Sequence, residues 1–305
     1  MTASVFIDGE AGTTGLQIRD RLLGRTDIRL VQVDPARRKD PEARREAFAS
    51  ADVAILCLPD DAAIEAVKLC EGLPTRIIDA STAYRVNSDW AYGFAELSPA
   101  NRARIAAASR VSNPGCYPTG SIALLAPLVA AGLIAPDAAL TINAVSGYSG
   151  GGKSLITEFE AGTAGSYFVY GLDHKHKHIP EIMVHVGLTE RPIFIPSVGN
   201  FAQGMIVQIP LHLPKGVKAN DLHAALAAHY AGGSFVTVLD SGKLPARMNP
   251  ERLNNTNQME LSVHANAAGD RVVLLATLDN LGKGASGAAV QNLNLMLGKN
   301  EGAGL

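Results

Sequence analysis

Cys116 lies in Ser112-Asn113-Pro114-Gly115-Cys116-Tyr117-Pro118-Thr119-Gly120, a turn-forming string that runs straight into the apolar stretch 121–129. Proline and glycine before the cysteine mark an element boundary, and the stretch after it reads as a helix. A thiol at a helix N-terminus meets the positive end of the helix dipole and backbone amides, both of which favour the thiolate. These flanks point to covalent nucleophilic chemistry, against the alternative of a small buried hydrophobe. A second group of reactive side chains follows in Asp173-His174-Lys175-His176-Lys177-His178-Ile179-Pro180-Glu181, with three of the eight histidines at alternate positions. Alternation predicts an extended segment with the imidazoles on one face. Zinc ligation needs a convergence of ligands that this spacing does not supply, so no metal is expected. An imidazole titrating near neutrality can take a thiol proton and return it, which suits a cysteine nucleophile better; a solvated basic loop is the structural alternative.

These groups need a scaffold, and the N-terminal third supplies its pattern. Residues 4–7 read as an apolar strand, followed by Gly9-Glu10-Ala11-Gly12-Thr13-Thr14-Gly15 and a helix carrying Leu16, Ile18, Leu22 and Leu23. Strand, glycine turn and helix at G-x-x-G-x-x-G spacing suit a dinucleotide pyrophosphate, because glycines permit the turn and the helix amides face the anion. A second strand over 28–33 ends in Asp34, with Arg37 and Arg38 just beyond. An acid there favours the ribose hydroxyls of NAD and arginines favour a 2′-phosphate, so the two signals oppose each other. Further strands over 53–58 and 76–79, separated by a helical pattern over 60–69, extend a doubly wound parallel sheet. Beyond Cys116, strand-like runs at 140–145, 204–213, 235–239, 261–267 and 271–278 have fewer helices between them and suggest a more antiparallel sheet.

The chain has 305 residues, 47% hydrophobic and 18% charged, which describes an ordinary globular protein of about two domains. The expected division is a dinucleotide-binding domain over 1–115, completed by a C-terminal helix within 285–305, and a catalytic and oligomerisation domain over 116–284. A formal net charge of −2 gives no basic face for nucleic acid. No uncharged apolar run is long enough to cross a membrane, and the N-terminus lacks a signal-peptide layout. Three cysteines with no C-x-x-C pair argue against a disulfide framework and suit the cytoplasm.

Gly147-Tyr148-Ser149-Gly150-Gly151-Gly152-Lys153-Ser154 matches G-x-x-x-x-G-K-[ST] and follows an apolar run. It raises a different class of function, a phosphate-loop NTPase with Lys153 on the phosphates, Ser154 on magnesium and Asp279 as the metal-binding acid. A glycine-rich anion loop for a phosphorylated substrate and a merely flexible loop are the other readings. A catalytically silent dinucleotide sensor is a third class.

Together the strings at 9–15, 79–85, 112–119, 147–153, 176–182 and Asp279-Asn280-Leu281-Gly282-Lys283-Gly284-Ala285-Ser286-Gly287 resemble the N-acetyl-γ-glutamyl-phosphate reductase family, in its short, type 2 branch. Aspartate-semialdehyde dehydrogenase shares the general plan, but Pro-Gly-Cys-Tyr-Pro-Thr and His-Lys-His-Ile-Pro-Glu-Ile favour the acetylglutamyl family. The resemblance implies a Rossmann-type domain plus an α+β domain with a mixed or antiparallel sheet. It implies an NADP(H)-dependent reductase of an acyl phosphate in arginine biosynthesis, working through a Cys116 thioester, as a homo-oligomer. It further implies His176 as the acid/base, with His178 as the alternative, and Arg85, Asn113, Lys153 and Glu181 at the substrate. The cofactor falls to Gly9, Gly12, Thr13, Thr14, Gly15, Arg37, Arg38, Ser81, Asn280 and Lys283. Asp34 departs from a pure NADP site. The aminoadipyl homologue of the substrate differs by one methylene, worth only about 1–3 kcal/mol in a pocket, so the sequence leaves it open.

Overall fold

The computed structural model describes residues 2–305, which divide by internal contacts into two units, 2–114 with 285–305 and 115–284. The first unit alternates β1 (Ala3–Asp8), α1 (Thr13–Leu22), β2 (Ile28–Val31), α2 (Pro41–Ala49), β3 (Val53–Leu56), α3 (Asp60–Leu69), β4 (Arg76–Asp79), β5 (Ala91–Tyr92), α4 (Pro99–Ala107) and β6 (Arg110–Ser112). Its six strands form one parallel sheet in the order β2-β1-β3-β4-β6-β5. Both faces of that sheet are covered, as the apolar runs require. Val5 and Ile7 of β1 point into a core with Ile18, Ile55 and Ile78, while Phe6 points the other way, against Phe48, Leu56 and Ile77.

Asp8, at the carboxyl end of β1, is buried and paired with buried Arg44 of α2, whose Nε and Nη2 donate to Asp8 Oδ2 at 3.1 and 2.7 Å. Burial pushes the Asp8 carboxyl up, against the opposing pull of the guanidinium. Removing one partner leaves the other buried and uncompensated, so Arg44→Met is expected to cost about 3 kcal/mol of stability. Adding Asp8→Asn should recover part of that loss. Denaturant midpoints of the single and double variants check both statements.

The second unit opens with α5 (Cys116–Ala130), then β7 (Thr141–Gly147), α6 (Gly152–Glu160), β8 (Tyr167–Val169), α7 (His178–Val186), β9 (Ile193–Gly199), β10 (Met205–His212), α8 (Ala219–His229), β11 (Val236–Val238), β12 (Met259–Ala265) and β13 (Arg271–Leu278). Its seven strands run β11-β12-β13-β10-β7-β9-β8. The sheet is mixed: β11 with β12 and β7 with β9 are parallel, and the other neighbours antiparallel. Helix α5 is apolar on all sides, with Ile122, Leu124, Leu125 and Leu128 fully buried between the sheet and α7 and α8. After a π-helical turn at Gly282–Ser286 the chain returns to the first unit as α9 (Gly287–Met296), packed on α1 and α4.

Several elements differ from the sequence expectation. The second strand stops at Val31, because residues 35–37 turn on Asp34, whose carboxylate accepts the Ala36 amide at 2.8 Å. The 174–178 segment is not extended: His174 has a positive φ of 56° and His178 is the first residue of α7. The three histidines are therefore not arranged by strand alternation, although the His176 and His178 rings lie 4.7 Å apart.

Candidate active site

In the first unit, the glycine turn has the shape a pyrophosphate requires. Gly9 has φ +87°, the Gly12 amide donates to the Gly9 carbonyl at 3.0 Å, and α1 starts at Thr13 with no side-chain cap. The amides of Thr13, Thr14 and Gly15 thus open the helix, where an anion is favoured. A Cβ on Gly9 would run into the Cys57 carbonyl, and one on Gly15 would lie 2.8 Å from Glu10 Cα. The turn thus has the shape that a dinucleotide fits, and a methyl group at either glycine would collide with the backbone that holds this shape. Gly15→Ala is expected to raise the KM for the dinucleotide at least about tenfold with a smaller change in kcat, as steady-state kinetics with varied cofactor will read.

At the end of β2, exposed Arg37 is paired with Asp40 at 2.9 Å, while exposed Arg38 has no ion pair among the described residues. At the end of β4, Ser81 is buried and its hydroxyl donates to Asp79 Oδ2 at 2.6 Å, so it shapes the loop. Arg85 is also buried. Its Nε donates to the Asn113 carbonyl and its Nη2 to the Ala80 carbonyl, both at 3.0 Å, tying the 79–85 loop to the segment that leads into the cysteine turn. Asn113 is held at both ends of its amide: Nδ2 donates to the Ala285 carbonyl at 3.0 Å and Oδ1 accepts from Asn292 at 3.1 Å. That amide thus ties the segment before the cysteine turn to residues of the C-terminal stretch, with one N–H of Nδ2 used in doing so.

In the second unit, Cys116 is the first residue of α5, half-buried, behind the N-cap Gly115. Helix α5 has no side-chain cap, so its dipole and amides face the thiol's end. Cys57 and Cys70 contrast with it, since burial pushes both thiols up to about 12. The approach to Cys116 is fixed by Glu181, a buried residue of α7 whose Oε1 accepts the Gly115 amide at 2.8 Å. Behind Cys116 stands Gly284: a Cβ there would lie 2.9 Å from Cys116 Cβ, and its amide donates to the Asp279 carbonyl at 2.9 Å.

The histidine pair sits in aromatic surroundings. The His176 and His178 rings are 4.7 Å apart, and the His178 amide donates to His176 Nδ1 at 3.2 Å. Tyr117, Tyr170 and Phe194 surround His176, with ring centroids 6.3, 5.5 and 5.1 Å away. Burial, with Lys177 adding to it, pulls the His176 imidazole down to about 4. Tyr117 donates to the Ser197 carbonyl at 2.9 Å, and burial raises its phenol well above the ordinary value and that of Tyr170 to about 12. His174 is exposed.

The 147–154 loop has strand, turn and helix around it, but the amides at its start are spent. Tyr148 and Ser149 donate to the Phe201 and Ala202 carbonyls at 3.0 Å each. Asp279, the acid that would hold magnesium, is fully buried and accepts the Leu281 and Asn255 amides at 2.9 and 2.8 Å as well as the Gln203 side chain. An NTPase would need that carboxylate free for magnesium, which argues against the NTPase reading. Lys153 is exposed at the start of α6. Asn280 accepts the Gly204 amide at 2.7 Å and donates to Ser149 at 3.1 Å, and Lys283 is buried with Nζ 5.4 Å from the Phe235 ring. A cavity of about 770 Å³ opens at the other end of the sheet, lined among others by Leu133, Leu140, Pro210, His212, His264 and Arg271, away from all these groups.

Sequence reasoning did not find Asp8, Arg44, Tyr117, Tyr170, Phe194, Asn292 or the closeness of Gly284 to the thiol. Tyr117 had a signal, since it sits beside Cys116; the others are joined only by the fold.

Two family models match the chain: one described as semialdehyde dehydrogenase, NAD binding domain, over residues 9–107, and one described as semialdehyde dehydrogenase, dimerisation domain, over residues 116–280. The N-acetyl-gamma-glutamyl-phosphate reductase of Chelativorans sp. is 56% identical over 306 residues, covering 97% of this chain and 99% of the relative. That of Brucella ovis is 54% identical over 311 residues, covering 98% of this chain and 100% of the relative. Among solved structures, aspartate semialdehyde dehydrogenase II from Vibrio cholerae, complexed with ASA, superposes with a TM-score of 0.73 at 14% identity, over 97% of this chain and 98% of that one. Aspartate semialdehyde dehydrogenase with NADP from Candida albicans gives 0.69 at 16% identity, over 99% and 100%. At those identities the likeness is one of fold.

Proposed function

The chain belongs to the N-acetyl-gamma-glutamyl-phosphate reductases, and from that premise we propose how its residues carry the reaction. It is an NADP-dependent oxidoreductase that converts N-acetyl-L-glutamyl 5-phosphate to N-acetyl-L-glutamate 5-semialdehyde and phosphate, a step of arginine biosynthesis. The observation that carries the mechanism is the placing of Cys116: first residue of an uncapped buried helix, its approach fixed by Glu181 and its rear by Gly284.

The Cys116 thiolate attacks the acyl carbon, the carbon–oxygen bond to phosphate breaks, and a thioester remains on Cys116. The thiol proton passes through an imidazole of the His176–His178 pair to the departing phosphate, which leaves as the hydrogen phosphate dianion. NADPH, when bound at the 9–15 turn, supplies a hydride. The resulting alkoxide on Cys116 collapses by breaking its carbon–sulfur bond, which yields the semialdehyde and restores the thiolate. Negative charge on the acyl oxygen develops next to the first turn of α5, whose amides and dipole are oriented before the reaction and stabilise it without rearrangement. Arg85 and Lys153 are the cations we assign to the substrate phosphate and carboxylate, and Arg38 the cation at the ribose 2′-phosphate. The enzyme works in the cytoplasm as a homo-oligomer joined through the second unit, a reading supported by the matching model's description as a dimerisation domain. No helix among the described residues is long and apolar enough to cross a membrane.

Steady-state assays in the reverse direction test the substrate and cofactor assignment. N-acetylglutamate semialdehyde and aspartate semialdehyde are each supplied with phosphate and with NADP or NAD. Phosphate-dependent reduction of NADP with the acetylated substrate is expected to have the highest kcat/KM. A higher value with aspartate semialdehyde, or with NAD, overturns it.

A further inference from the structure

Resting on the reductase reading, we propose that His176 acts as a fixed, uncharged hydrogen-bond donor to the anionic oxygen formed at the substrate's acyl carbon, and does not carry the thiol proton. The argument starts from Nδ1. That atom accepts the backbone amide of His178 at 3.2 Å, so it presents a lone pair, and the proton of the neutral ring sits on Nε2. An Nε2–H can donate and cannot accept. To become an imidazolium, His176 would need a second proton on Nδ1, pointing at the His178 N–H; two donors would then face each other and the hydrogen bond would be lost.

The surroundings reinforce the same state. Tyr117 of α5 and Phe194 of β9 meet the ring edge-on, at 87° and 78°, while Tyr170, just after β8, and His178 of α7 lie at 58°. On another side, a Cβ at Gly171 would lie 3.5 Å from His176 Cδ2, so backbone packs there too. The titratable groups around the ring are two phenols that burial keeps protonated, the His178 imidazole and the Cys116 thiol, whose charge acts on both phenols, and the nearest formal charge along the chain is the cation of Lys177. Glu181, the carboxylate of α7, is turned to the Gly115 amide. Burial and the Lys177 cation both favour the neutral ring, in agreement with the hydrogen bond at Nδ1. A neutral donor held in one orientation suits an oxyanion: it adds stabilisation as charge develops and needs no proton transfer. The enzyme's proton traffic then bypasses His176.

Three readouts on the full-length enzyme test this. In ¹⁵N-histidine spectra of the unliganded protein, with the His176 signals identified by their loss in His176→Gln, the pattern of a neutral Nε2–H imidazole is expected throughout pH 5.5–9. An imidazolium titrating between pH 6 and 7, or an Nδ1–H tautomer, overturns the proposal. The rate of Cys116 alkylation by iodoacetamide against pH is expected to keep its midpoint in His176→Gln, whereas a shifted midpoint shows that His176 does exchange the thiol proton and overturns it. In turnover, His176→Gln, whose amide N–H can reach the Nε2 position, is expected to keep kcat within about tenfold of the parent. His176→Phe, which fills the cage without a donor, should lose about 100-fold at an unchanged thermal midpoint. Equal kcat in the two variants overturns the donor role. The spectra and the alkylation rates use no substrate, so they report on His176 even if the parent enzyme shows no reductase turnover, which would be a failure of the reading above instead.

Discussion

Replacement of Cys116 by serine is expected to abolish turnover of N-acetylglutamate semialdehyde, with kcat/KM falling by at least about a thousandfold and NADPH binding retained. A hydroxyl keeps the volume of the thiol but ionises far less readily, and an oxyester is a poorer hydride acceptor than a thioester. The uncapped first turn of α5 favours an anion, and serine cannot use that advantage near neutral pH. Cys116 is only half-buried, so the variant should fold, and a cofactor titration by fluorescence separates lost chemistry from lost binding. Turnover within tenfold of the parent would mean that another residue attacks the acyl carbon.

Gly284→Ala is expected to lower kcat about 100-fold while leaving the KM for NADPH within a few fold. The added Cβ would sit 2.9 Å from Cys116 Cβ, 3.3 Å from Cys116 Cα and 3.1 Å from the Asp279 carbonyl oxygen. Neither neighbour can yield cheaply. Cys116 is pinned through the Gly115 amide to Glu181, and Asp279 is held by the amides of Leu281 and Asn255. The strain is therefore relieved by a shift of the nucleophile, and a misplacement of about 1 Å costs on the order of 100-fold in rate. Single-turnover release of phosphate should slow as much as kcat does. A variant with normal phosphate release and slow semialdehyde formation would place the effect of Gly284 elsewhere.

Local signals were the legible ones. Pro114-Gly115 before Cys116, and the glycines at 9, 12 and 15, specify turns by backbone conformation alone, and both turns stand where the sequence puts them. Short apolar runs read as strands, and so β4 and β13 match the expected spans to the residue. Elements whose identity depends on distant partners were missed. Strand β5 has only Ala91 and Tyr92, and no period can emerge from two residues. Helix α7 hides behind the alternation of the histidines, because the segment before it is a turn with His174 at positive φ. Side-chain roles show the same limit. Asn280 reads as a polar residue in a glycine-rich string, yet its amide is satisfied by Gly204 and Ser149, which are 76 and 131 positions away. Asn113 is likewise held by Asn292, 179 positions on. Residue type and spacing carry no information about such partners, whereas the chemistry of a thiol at a helix start needs only its neighbours.

The central claim is that the acyl group rests on the sulfur of Cys116 before it is reduced. N-acetylglutamyl phosphate, generated in situ, should be mixed with the enzyme in the absence of NADPH, the reaction quenched in acid, and the peptides mapped by mass spectrometry. The acetylglutamyl group is predicted on the Cys116 peptide alone, approaching one group per chain, released by neutral hydroxylamine and by subsequent addition of NADPH to the unquenched enzyme. An acyl group on any other residue, or none on Cys116 in an enzyme that turns over when NADPH is added, would contradict the account.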